Sequence, residues 1–325
     1  MRTLVAATAL ATLLAAAGGA AGSAAAADPI RIGFAGPLSG ASAAIGEQMA
    51  NGTRQAVDDI NAAGGVLGRP LALQMEDDVC DPAQAVAVAN RLAAAEVAVV
   101  IGHYCSGASI PASDVYADAQ IVQISPGSTN PTFTERGLDT VFRVCGRDDQ
   151  QAAVAAAYVA ERFKGARVAV SHDMSPPGMT LATIFRRSLE AAGVPVVYQS
   201  PVNLGELDFS ALVTKLKDAD ATILYHAAYH KEAGLIVRQA AAQGLALRLV
   251  SNDDLNVPDF WKITGPAGEG ALFTFQADVS RNAEAKPVVE RLRSAGKDST
   301  GYTLYAYAAV QAWASAVTAT GSLDF

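Results

Sequence analysis

A two-lobed α/β fold, each lobe a doubly wound parallel sheet, is predicted from three observations. Short apolar runs alternate with longer amphipathic runs along most of the chain. One short run, Ala98-Val99-Val100-Ile101, is continuously apolar, as a parallel strand covered on both faces requires. The alternation also restarts after Arg147-Asp148-Asp149, which marks a crossing between lobes.

The elements follow in order. Residues 30–35 read as the first strand, followed by the loop Gly36-Pro37-Leu38-Ser39-Gly40. A helix then runs through Met49, Ala56, Val57 and Ile60, and Ala63-Gly64-Gly65 stops it because glycine accepts the left-handed backbone of a helix end. Residues 71–76 form a second strand and 83–95 a second helix. Residues 98–101 and 120–125 are further strands. After the restart, 151–164 reads as helix, 166–171 as strand and 180–192 as helix. The series continues with 195–198, 209–217, 221–225, 232–243 and 247–251, and 302–319 closes as a helix. Alternation at this spacing produces βαβ units with right-handed crossovers.

Composition agrees with a folded chain of two domains. There are 325 residues, 51% hydrophobic and 17% charged, enough to bury a sizeable core. Much of the apolar fraction is alanine, so it is a weak membrane signal. A net charge of −8 and 6% aromatic residues disfavour phosphate-backbone binding and base stacking, and no nucleic-acid partner is expected.

The start of the chain reads as an export address. Arg2 precedes an uncharged apolar run over 4–16, and Ala25-Ala26-Ala27 fits the small-residue cleavage rule. Removal after Ala27 is expected, which places the product in the periplasm. No later run is long and apolar enough to read as a span. An oxidising compartment permits disulfides, and Cys80 and Cys105 each follow a candidate strand, so they are the expected pair. Cys145 remains as a buried thiol.

Ligands in such sheets bind beyond the carboxyl ends of strands. The loops to watch are 36–46, 103–109 and 125–129 in one lobe, and 172–178, 226–230 and 252–256 in the other. The first set is rich in Gly and Ser, whose amides suit an anion; the last contains Asp253 and Asp254, which suit a cation. A zwitterion clamped between lobes satisfies both. Other chemistries are poorly supported. His226 and His230 stand four apart but follow a strand with no Glu between them, and no C-x-x-C occurs, so no metal is expected. The 36–40 loop is not G-x-G-x-x-G, and Ser106-Gly107-Ala108-Ser109 is not a nucleophile elbow, so neither cofactor nor enzymatic activity is expected. Glu76-Asp77-Asp78 reads as a solvated strand end.

Several stretches together resemble a known family. These are Ile32-Gly33-Phe34-Ala35-Gly36-Pro37-Leu38-Ser39-Gly40, Ala56-Val57-Asp58-Asp59-Ile60-Asn61-Ala62-Ala63-Gly64-Gly65, Asp77-Asp78-Val79-Cys80-Asp81-Pro82, Val100-Ile101-Gly102-His103-Tyr104-Cys105-Ser106, Pro111-Ala112-Ser113-Asp114 and Tyr229-His230-Lys231-Glu232-Ala233-Gly234. From about residue 30 to about 318 the chain resembles the branched-chain amino-acid-binding proteins of ABC transporters. The resemblance implies a type I periplasmic binding fold, a clamshell joined by hinge crossovers, and again a Cys80–Cys105 disulfide. The expected limits are a signal peptide over 1–27, a first lobe of 28–147 with 277–325, and a second lobe of 148–276. Similar proteins continue further, so part of the fold is expected beyond residue 325.

Residue by residue, the resemblance implies that Ser106 and Thr129 hold a ligand carboxylate. The Gly127 carbonyl and Asp253, in place of a Glu, receive its ammonium. Tyr229 closes the second lobe over the ligand and Tyr302 adds an aromatic wall. Ile45 stands where an aromatic lines the side-chain pocket, and Pro177 where a Tyr reaches across. The expected partners are an amino acid, branched-chain or otherwise apolar, and a membrane permease, with the protein a monomer. A related small ligand (an amide, urea or an aromatic acid) is the alternative, as is a ligand-sensing module of a receptor.

Overall fold

A computed structural model describes residues 28–324. The expected leader and the expected continuation of the fold both lie outside the described residues.

The first sheet is built from β1 (Ile30–Gly36), β2 (Leu71–Asp77), β3 (Val99–Gly102), β4 (Val122–Ser125) and β5 (Val141–Arg143). Its order is β2-β1-β3-β4-β5, and all its pairings are parallel. Helices α1 (Ala43–Ala62), α2 (Pro82–Ala94), α3 (Ser106–Asp118) and the short α4 (Thr132–Glu135) connect these strands. The second sheet holds β6 (Val168–His172), β7 (Val196–Pro201), β8 (Ile223–Ala227), β9 (Arg248–Ser251) and β10 (Leu272–Phe273) in the parallel order β10-β9-β8-β6-β7. Its helices are α5 (Asp148–Arg162), α6 (Pro176–Ala191), α7 (Ser210–Asp218), α8 (His230–Ala242) and α9 (Pro258–Thr264). The chain then returns, and α10 (Lys286–Ser294) and α11 (Thr303–Thr320) pack with the first lobe. The result is two doubly wound lobes.

Local chemistry accounts for the boundaries. Asp81 caps α2 by accepting the Gln84 amide at 2.7 Å, with Pro82 as its first residue. Ser175 does the same for α6 through the Gly178 amide at 3.1 Å. α1 ends where Gly64 and Gly65 take φ of +104° and +81°. α11 lies on α1, where an added Cβ at Gly52 would sit 1.8 Å from the Thr303 carbonyl oxygen, so only glycine permits this approach.

The sheet orders place the binding region. In the first lobe the order reverses between β1 and β3, and in the second between β6 and β8. The loops leaving these strands diverge and leave a crevice. The Cys80–Cys105 disulfide, with Cα atoms 5.5 Å apart, joins the loops after β2 and β3 on one side of that crevice.

Three expectations need correction. α3 begins at Ser106, inside what reads as a loop; its small residues and the internal Pro111 mask the helical stripe. Asp78 is not a solvated strand end: it is fully buried and accepts His103 Nδ1 at 2.5 Å, with Tyr116 on the other ring nitrogen at 3.1 Å. His226 and His230 are buried at the end of β8 and the start of α8 rather than lying in an open loop. A serine–histidine pair does exist, Ser171 Oγ to His226 Nδ1 at 2.8 Å, but both residues are fully buried.

Candidate functional site

Between the lobes lies a cavity of about 50 Å³ whose walls come from the strand-end loops. From the first lobe it takes Tyr104, Cys105 and Ser106 after β3, and Gly127 and Thr129 after β4. From the second it takes Asp148 at the start of α5, Asp173, Ser175, Pro177, Gly178 and Leu181 after β6, Ala227 to Tyr229 after β8, and Asn252 to Asp254 after β9. Six of the eight positions expected from sequence therefore meet in one place: Ser106, Gly127, Thr129, Pro177, Tyr229 and Asp253. Tyr302 stands directly behind them, fully buried, its hydroxyl donating to Asp253 Oδ2. Ile45 does not line this cavity. It points from the first turn of α1 into the first lobe's core with Phe34 and Met49, because that face of α1 packs on the sheet.

The two sides of the cavity have opposite character. On the first lobe, α3 starts at Ser106, so its first-turn amides lack intrahelical partners and favour negative charge. Ser106 Oγ accepts the Asn130 amide at 3.2 Å, which orients the hydroxyl. The β4 loop is braced by Ser125 Oγ, which donates to the His103 carbonyl at 2.6 Å and accepts the Ser128 amide at 2.8 Å. Gly127 passes between two aromatic rings: an added Cβ would stand 2.6 Å from Tyr104 and 3.4 Å from Tyr302.

The second lobe supplies four carboxylates, Asp148, Asp173, Asp253 and Asp254, and neither Lys nor Arg lines the cavity. Gln151 ties two of them together, its Nε2 donating at 2.7 Å to both Asp148 Oδ1 and Asp253 Oδ1. Its Oε1 accepts from Thr274 Oγ1 at 2.8 Å, which fixes the amide's orientation. Burial, followed by the charge of Asp148, pushes the Asp253 carboxyl up to about 7. Burial also raises Asp148. Asp254 differs. Burial works against its charge, but the neighbouring His230 and its hydrogen bonds outweigh that and hold it below the ordinary aspartate value. His230 is raised in turn: burial opposes its charge, and the Asp254 carboxylate overcomes this.

Asp148, Asp173, Tyr104 and Asp254 escaped sequence reading as site residues, or were singled out without a partner. Asp148 was legible only as part of the crossing, since nothing in the sequence says that the first turn of α5 faces the β9 loop. A larger cavity of about 590 Å³ opens beside it, walled mainly by Val154, Tyr158, Leu272, Phe273 and Phe275. Its lining also includes Arg147, Gln150, Gln151 and Gln276, but no carboxylate.

Comparison with known proteins agrees with this geometry. Residues 29–325 match the family described as periplasmic binding protein. The chain is 45% identical over 295 residues to a Leu/Ile/Val-binding protein homolog 1 from Brucella suis, covering 91% of this chain and 80% of that one. It is 46% identical over 296 residues to an amino acid binding protein from Pseudomonas aeruginosa, covering 90% and 79%. Among solved structures it is similar to the branched-chain amino acid transporter substrate binding protein LivJ from Streptococcus pneumoniae, in complex with isoleucine. That likeness has a TM-score of 0.84 at 28% identity, over 91% of this chain and 86% of that one.

Proposed function

The chain belongs to the periplasmic binding protein family, and we propose that it captures an α-amino acid between its lobes and delivers it to an ABC permease. The single observation that carries this reading is the polarity of the interlobe cavity: helix amides and hydroxyls on one wall, clustered carboxylates on the other. A molecule with a carboxylate and an ammonium neutralises both walls at once. Ser106 and Thr129 take the carboxylate; the Gly127 carbonyl, Asp253 and its neighbour Asp148 take the ammonium; Tyr229 covers the ligand from the second lobe. Pro177 and Leu181 line the space left for a side chain, which favours an apolar one. The relatives named for leucine, isoleucine and valine support the same class. An amide, urea or aromatic acid fits less well, because each lacks the cation that the buried carboxylates need.

The protein works by binding rather than by covalent chemistry. The buried Ser171–His226 pair has no access to the cavity, and burial pulls His226 down to about 4, so it is uncharged at neutral pH. Export with removal of residues 1–27, the lobe limits 28–147 with 277–325 and 148–276, and a monomeric state belong to this same reading.

Calorimetry across the twenty amino acids is the test. Micromolar or tighter binding, about −8 kcal/mol or better, is expected for at least one branched-chain member. No heat with any of them discards the reading. Asp253→Ala is expected to cost about 2–5 kcal/mol of binding by leaving a buried ammonium without its partner. Unchanged affinity would remove Asp253 from the ligand set.

A further inference from the structure

Taking the proposed function as premise, we infer that Arg143 is a positioning residue for the ligand's carboxylate. It grips the Ser128–Thr129 peptide from outside the cavity and supplies the positive charge that the cavity lining lacks. Strand β5 ends at Arg143, beside β4 and the loop that follows it. Its Nη1 donates to the Ser128 carbonyl at 2.5 Å. Its Nη2 donates to the Asn130 carbonyl at 2.7 Å and to Thr134 Oγ1 at 2.9 Å. The guanidinium fork therefore holds the chain on either side of Thr129. It also lies over the buried Phe133 ring, 5.4 Å from the centroid, which restrains its plane. Lysine, a single point charge, could not span both carbonyls in this way.

The setting goes beyond bracing a loop. Its neighbours Arg136 and Arg147 pair with Asp114, Glu135 and Asp149, but Arg143 forms no ion pair among the described residues. Its charge is therefore not cancelled at contact. The Ser128 carbonyl and the Thr129 amide belong to one peptide group. A cation on the oxygen polarises that group and makes the N–H a stronger donor. Around Thr129 the other amides are taken: Gly127 and Ser128 donate to Ser125 Oγ, and Asn130 to Ser106 Oγ. Thr129 lines the cavity, and its amide donates to no group among the described residues. The amide left for a ligand is thus the one that Arg143 backs. The Thr129 carbonyl is fixed separately, by the Asp148 amide at 2.9 Å. The charge also reaches the cavity: burial raises the Asp148 carboxyl, and Arg143 acts against that rise. A ligand carboxylate accordingly meets neutral donors in front and a guanidinium one peptide behind them.

Arg143→Met keeps the side chain's length and removes its charge; Arg143→Lys keeps the charge without the fork. Calorimetry with isoleucine and with isoleucinamide, which retains the ammonium and side chain but has no carboxylate, separates charge from structure. Arg143→Met is expected to weaken isoleucine by about tenfold or more and isoleucinamide by less than about threefold. Arg143→Lys is expected to recover part of the isoleucine loss. Equal losses for the two ligands, or an unchanged isoleucine affinity, overturn the inference. Hydrogen exchange of the ligand-free protein reads the grip directly. The Gly127 and Ser128 amides are expected to exchange about tenfold faster in Arg143→Met, with β1 and β3 unaltered. Unaltered exchange in this loop overturns the inference. If the parent binds no amino acid, the proposed function falls, and exchange alone decides the role of Arg143. If Arg143→Met does not fold, Arg143→Lys decides: faster loop exchange with weakened isoleucine binding supports the inference, and a protein indistinguishable from the parent overturns it.

Discussion

In the proposed function Asp253 receives the ligand's ammonium, and its protonation would then set a pH signature. Burial and Asp148 raise its carboxyl to about 7. In the free protein the stability tied to this group is full below the unfolded-state pKa and is lost as pH rises from there through about 7. A bound ammonium favours the ionised form, so binding releases a proton at pH values below about 7. Affinity for a zwitterionic amino acid is therefore expected to fall by up to tenfold per pH unit below that point and to level off above it. Calorimetry in buffers of different ionisation enthalpy between pH 5 and 8 measures both the slope and the released proton. A flat profile contradicts the role given to Asp253. Gly127 makes a second prediction at this scale. Its missing Cβ leaves room for Tyr104 and Tyr302. Gly127→Ala is expected to lose about 1–3 kcal/mol of stability through overpacking and to weaken ligand binding, read by urea denaturation and calorimetry.

At the scale of elements, the ligand loops are held from behind. The loop after β3 is anchored by the Cys80–Cys105 disulfide and by the buried His103–Asp78 contact. Asp78 Oδ1 also accepts the Cys80 amide at 2.8 Å, so the two anchors share a carboxylate. Replacing both cysteines by serine is expected to cost about 3 kcal/mol, from the freedom regained by a loop spanning a sequence separation of 25. Denaturant titration with and without reductant checks this, and an unaltered midpoint contradicts it. The third cysteine responds differently: burial pushes the Cys145 thiol up to about 12, so it is expected to resist alkylation in the folded protein. Not all elements were equally legible. β3 announces itself by a continuous apolar run and α1 by its glycine stop. α3 does not, because its stretch Ser106-Gly107-Ala108-Ser109-Ile110-Pro111 has small polar residues on both faces. Its position is decided by packing against α2 and β4 rather than by its own pattern.

At the scale of the whole molecule, the lobes meet through side chains of opposite origin, Tyr104 with Asp254 and Tyr302 with Asp253. A cavity of about 50 Å³ holds a few waters, so an amino acid enters only when the lobes separate. Ligand binding is then coupled to closure and to stability by mass action. At a hundred times its dissociation constant, a ligand adds about 2.7 kcal/mol. That is expected to raise the thermal midpoint by about 5 °C or more. Leucine, isoleucine and valine are expected to produce the shift, and aromatic acids without an ammonium are not. Equal shifts from both classes would contradict the paired-charge account.

By itself, the sequence determined what depends on neighbours along the chain. Apolar period, glycine stops and caps specify the strands and most helices, and the motif order specifies the family and six positions that line one cavity. Only the tertiary structure decided which distant residues meet. It placed Ile45 in the core although its motif suggested the pocket, buried Asp78 beneath the β3 loop, and brought Asp148, Asp253 and Asp254 to one wall opposite Tyr104. The physical reason is that burial and hydrogen bonding between residues 100 or more apart arise from the crossing of loops between two sheets. Local patterning carries no record of such encounters.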